Sequence, residues 1–141
     1  LMAVWGTPGT GEGQFGDATS IAVDGKNDRV YVADVRSTRI AVFDTNGKFI
    51  ANWPVDAWRA QTGWYFQDLV IDSQAGRLYA SSVATDEVLV FDLTGKQIAS
   101  LRPAPPDKLV GASSLALVKG KLYVLNTFGN YVSRIEVEAK P

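Results

Sequence analysis

Between positions 58 and 66 the chain sets Trp58, Arg59, Trp64, Tyr65 and Phe66. Aromatic rings with one guanidinium among them can form a stacking platform for sugars, peptides or other rings. A plainer reading is structural: each such ring buries about 150–250 Å2 and can plug the gap between packed sheets. A second set, Asp34, Ser82 and Asn126, falls at matching points of the pattern described below. These residues would line a channel with polar groups able to draw in Ca2+, or each would cap its own turn, as Asp, Ser and Asn do. Asp24, Asp44, Asp72 and Asp92 read as turn residues by the same chemistry. Arg36, Arg39 and Arg59 would make a basic rim for RNA, but three arginines in a chain of formal charge -1 argue against nucleic acid as partner.

The chain has no Cys and no His. That removes thiolate nucleophiles, disulfides, the commonest general base and the commonest transition-metal ligand. No serine–base pair or paired-carboxylate spacing is present, so no catalytic residue, no metal ligand and no resident cofactor is expected. A Gly-rich stretch, Gly6 to Ser20, has GxGxxG-like spacing, but a strand pattern follows it where a phosphate cradle needs a helix. At 141 residues and 46% hydrophobic content the chain reads as one folded domain. No apolar run nears the roughly 20 residues of a membrane span, and no direct membrane insertion is expected.

The elements that must position these residues come as repeats. Residues 20–53 read SIAVDGKNDRVYVADVRSTRIAVFDTNGKFIANW, residues 68–101 say the same in altered letters, and residues 114–138 give a shortened third version. Such a period signals repeat architecture. Each copy divides into strands a to d: Ile21–Val23, Val30–Ala33, Ile40–Phe43 and Phe49–Trp53 in the first. Leu69–Ile71, Leu78–Ala80 and Val88–Phe91 follow in the second, then Leu115–Leu117, Leu122–Leu125 and Val132–Ile135 in the third. Several strands are apolar on successive residues, the mark of strands covered on both faces. Antiparallel strands joined by short turns yet buried on both sides mean small sheets stacked face to face, as in a β-propeller. Residues 1–5, LMAVW, align with Phe49–Trp53 at a shift of 48 and read as a strand d that completes another blade. The third copy ends without its own strand d. Two chains could therefore exchange LMAVW to close six blades as a homodimer, or the chain is a piece of a longer protein.

GEGQF followed by SIAVD, RVYVAD, RIAVFD and NGKF resembles the NHL repeat. The second copy departs with Ser82 in place of Asp34 and Glu87 in place of Arg39; the third departs further, with Asn126 and Tyr131. The resemblance implies an all-β propeller with three four-stranded blades per chain, half of a six-bladed ring. It implies a non-catalytic binding or interaction scaffold from a larger bacterial protein, with a protein, peptide or glycan partner and an extracytoplasmic location. Two alternatives come with the family. One is a channel-metal hydrolase or lyase of the six-bladed lactonase or amidating-lyase type, with Ca2+ in play. The other is a structural tail of the sort found on membrane glycosyltransferases, which the WPV and GRLYASS stretches resemble.

Overall fold

Two kinds of turn, each built on an aspartate, set the architecture. The side chain of Asp24 accepts from the amides of Lys26 and Asn27 at 3.2 and 3.3 Å, and that of Asp72 from Gln74 and Ala75 at 3.1 and 2.9 Å. Asp44 accepts from Asn46 and Lys48 at 2.9 Å each, and Asp92 from Thr94 and Lys96 at 2.9 and 3.1 Å. Such Asx geometry reverses the chain without spending backbone partners. The structure is a computed structural model and describes residues 2–63 and 66–137.

After two short strands, β1 (Thr7–Pro8) and β2 (Gln14–Phe15), come β3 (Ala18–Asp24), β4 (Arg29–Asp34), β5 (Arg39–Phe43) and β6 (Phe49–Pro54). These last four pair in sequence order as one antiparallel sheet, the first blade. A 3-10 helix, Asp56–Ala60, leads to the second blade: β7 (Leu69–Asp72), β8 (Arg77–Ser82), β9 (Glu87–Asp92) and β10 (Gln97–Leu101). The third has β11 (Ala112–Val118), β12 (Lys121–Asn126) and β13 (Tyr131–Glu136). Its first hairpin turns on Lys119 and Gly120, both at positive φ (47° and 69°), the two-residue connection that suits strand twist.

The blades stack face to face. Tyr31, Ile40, Val42 and Trp53 of the first pack on Leu78, Ala80, Leu89 and Phe91 of the second. Tyr79, Val88 and Val90 of the second then pack on Leu115, Leu122 and Val124 of the third. Stacking on both sides is why β8 is buried on successive residues; in β5 one face meets the second blade and the other, with Ala41 and Phe43, is covered by Phe15 and Phe49. The first strands lie side by side, β3 against β7 and β7 against β11, so they form the inner edge of the fan. The rim that carries their first residues also carries the β4–β5, β8–β9 and β12–β13 turns; it is called the upper rim below.

Three details lie outside the expected pattern. Inside the Gly-rich stretch Gly6–Ser20, β1 and β2 make a short parallel ladder. The 3-10 helix interrupts the next long connection. Residues 2–6 pair with no sheet, yet Trp5 lies over the hairpin at Gly47 as Trp53 lies over Gly95. A Cβ on those glycines would fall 2.7 Å from Trp5 and 2.5 Å from Trp53. The same tryptophan-on-glycine contact thus recurs at the spacing of the repeat.

Candidate functional site

Asp34 and Arg39 are adjacent across β4 and β5, and between them they organise the Gly-rich connection. Asp34 Oδ1 accepts from the amides of Gly16 and Asp17 at 3.0 and 2.8 Å, while its Oδ2 takes the Arg39 Nε at 3.1 Å. The terminal nitrogens of Arg39 reach the carbonyls of Thr10, Gly11 and Gln14 at 2.8, 3.1 and 2.8 Å. A guanidinium with all three nitrogens engaged is a latch on a loop that has few side chains of its own to bury. Phe15 then covers the outer face of the blade, 5.7 Å from the ring of Phe43.

Asn126 does in the third blade what Asp34 does in the first: its Oδ1 accepts from the Val110 amide at 2.8 Å. Ser82 accepts from the Thr85 hydroxyl at 2.6 Å. All three are fully buried. The expectation that Asp34, Ser82 and Asn126 line a channel is therefore corrected: each is spent on loops and turns, because a buried polar group needs its partners nearby.

The aromatic run divides. Trp58 is buried between the first two blades, and its Nε1 donates to the Ser81 carbonyl at 3.0 Å. It is a plug and not a stacking surface. Arg59 is exposed and donates from Nε to Asp56 at 3.0 Å. Phe66 is 69% exposed on the upper rim. Trp64 and Tyr65 lie outside the described residues.

Sequence reasoning missed what Phe66 faces. It borders a cavity of about 590 Å3 with Thr19, Asp68, Ser114, Thr127 and Phe128, where all three blades meet. Asp68 is its anchor. One carboxylate oxygen accepts from Ser20 Oγ at 2.5 Å and the Leu69 amide at 2.9 Å; the other accepts from Ser114 Oγ at 3.1 Å and the Leu115 amide at 2.9 Å. Thr19 Oγ1 donates to the Gln67 carbonyl at 3.1 Å, so its lone pairs stay open to a ligand's donors. Phe128 is 57% exposed and its ring lies over Gly111, where a Cβ would come within 2.6 Å. A signal existed: Ser20, Asp68 and Ser114 open the three repeats, and the middle one is charged.

Glu87 holds the place of Arg39 and reverses its charge. Burial alone would raise its carboxyl, but bonds from Arg102, Ser100 and Thr85, with the Arg102 charge, hold it below the ordinary glutamate value. Asp24 is likewise held low against the effect of burial, by Asn27, Ser73 and the turn amides. Among the described residues no three acidic side chains converge as a metal site would need.

Residues 15–43, from Phe15 to the end of β5, match the NHL repeat family model. No curated protein matches the sequence. Solved structures do. Virginiamycin B lyase from Staphylococcus aureus superposes with a TM-score of 0.64 at 19% identity, over 84% of this chain and 37% of that one. A glutaminyl cyclase from Myxococcus xanthus gives 0.61 at 14% identity, over 84% and 47%. An auxiliary nutrient binding protein from Bacteroides ovatus gives 0.64 at 16% identity, over 84% and 34%. The chain thus spans less than half the length of these structures, and at such identities the likeness is one of fold. That fold is a β-propeller, here as a segment of three blades. Its first repeat, residues 15–43, is the part that matches the NHL type.

Proposed function

We propose that this propeller segment is a binding module that takes its partner on the upper rim, at the cavity between Phe66 and Phe128. The observation that carries the reading is the exposure of these two rings, 69% and 57%, at one cavity, while most other large rings among the described residues are more deeply buried. An exposed ring loses water gladly and gains stacking contact with a partner ring. Around the rings, hydroxyls of Thr19, Ser114 and Thr127 supply polar contacts that fix orientation. The partner class is a peptide or glycan that offers a flat apolar group with hydrogen-bond donors at its edge.

A binding role also agrees with the chemistry present. Asp68, the carboxylate at this cavity, already accepts four hydrogen bonds of 3.1 Å or shorter from Ser20, Leu69, Ser114 and Leu115. A general base needs a lone pair facing substrate; Asp68 uses its oxygens to join the three inner strands. The test is titration with indole, followed by amide NMR, of the native chain and of Phe66→Ala/Phe128→Ala. Saturable shifts at residues 66–69, 113–115 and 127–129 that vanish in the double variant support the reading. Shifts that survive in the variant would overturn it.

A further inference from the structure

A second cavity on the upper rim, of about 400 Å3, lies above the first blade and is bordered by Asp17, Arg36, Thr38, Trp58, Arg59 and Gln61. Two guanidiniums share it, and they are held in different ways. Arg36 lies across Gly16: a Cβ there would come 3.3 and 3.4 Å from the Arg36 Cβ and Cδ, so the stem is laid on the latch loop. Its guanidinium forms no hydrogen bond or ion pair among the described residues. Arg59 gives only its Nε to Asp56, in a pair whose side chains are 65% and 87% exposed. An exposed pair of that kind contributes little, and the two terminal nitrogens remain free to face the cavity. Arg39, the third arginine of this region, is consumed by the latch and takes no part.

We infer that this cavity binds the carboxylate of an acidic peptide. Planar guanidiniums match a carboxylate in bidentate fashion, and two of them on one cavity set both position and sign. Asp17 narrows the choice. With Asp56 counted beside Arg59 the four groups sum to zero charge, so a monoanion is held through the unused guanidinium N–H groups, and no excess positive charge is left to hold a dianion such as phosphate. Asp17 is also an acceptor for the N–H groups that a peptide brings alongside its acidic side chain. Val35 and Trp58, both buried, give the cavity a rigid floor. This site stands on its own residues, whatever occupies the cavity at Phe66.

The test is an amide NMR titration at low salt with acetyl-Glu-Glu-Glu-amide, beside the neutral acetyl-Gln-Gln-Gln-amide and inorganic phosphate. The inference expects saturable shifts at residues 35–38 and 59–63 with the acidic peptide alone. It expects at least a roughly tenfold weaker Kd in both Arg36→Gln and Arg59→Gln, with unchanged melting temperatures because both side chains are at the surface. Equal binding of the glutamine peptide, tighter binding of phosphate, or affinity untouched by either substitution would each overturn it.

Discussion

Trp58 and Phe66 stand in one aromatic run and do opposite work. Trp58 fills the seam between two blades and satisfies its indole N–H on Ser81, so Trp58→Ala should cost about 3–5 kcal/mol of stability. Chemical denaturation reads that loss directly, and an unchanged midpoint would show that the seam closes without the ring. Phe66→Ala, by contrast, removes an exposed ring and should leave stability within about 0.5 kcal/mol. Glu87 gives the pH prediction. Its folded carboxyl titrates below its unfolded value near 4.5, so its contribution is complete above that pH and is lost as pH falls through the folded value. Glu87→Gln should flatten the acid limb of melting temperature against pH. At neutral pH it should cost only about 1 kcal/mol, since Arg102 is exposed and screened. Side-chain roles of this kind were the least legible part of the sequence. Residue type shows that Trp58, Trp64 and Phe66 are aromatic, but whether a ring faces a seam or water depends on the path of the connection, here bent by a short 3-10 helix with no repeat counterpart.

Strands and their turns were readable because they repeat. Apolar runs at Val30–Ala33 and Leu78–Ala80 sit inside β4 and β8, each extended by the polar residues that flank it. The Asp-to-Gly hairpins follow from the need for one residue at positive φ, met by Gly47 and Gly95. At Gly95 two constraints coincide: φ is +93°, and a Cβ would strike Trp53 at 2.5 Å. Gly95→Ala should therefore destabilise by about 1–3 kcal/mol. Gly25, in a turn with nothing within 4 Å of its Cβ position and no positive φ, should accept Ala with little change. Comparing thermal unfolding of the two variants checks the argument, and equal effects would refute it. The latch of Asp34 and Arg39 was half legible. Both residues belong to the motif, but their targets are backbone atoms of a Gly-rich loop, and no side-chain pattern marks a backbone acceptor.

At the scale of the molecule, the blades turn two kinds of surface outward. One is a pair of open blade faces: Ile21 and Val23 at one end of the fan, and Tyr123, Leu125 and Val132 at the other, all exposed. They occupy the positions that form the two internal seams, so they are surfaces of assembly in the geometry of a propeller. The other is the upper rim, where connections from successive blades converge on Asp68 and leave cavities beside Phe66 and Arg36. Repeat spacing made the blades legible. Convergence at the rim was marked only by the shared opening position of Ser20, Asp68 and Ser114, since which side chains meet across three repeats is set by how the blades stack. The two surfaces also compete for any apolar probe. Mapping indole on the native chain by amide NMR separates them: the account predicts the tightest saturable shifts at Gln67–Leu69 and Ser113–Leu115. Tightest binding on the open face at Tyr123, Leu125 and Val132 would contradict it.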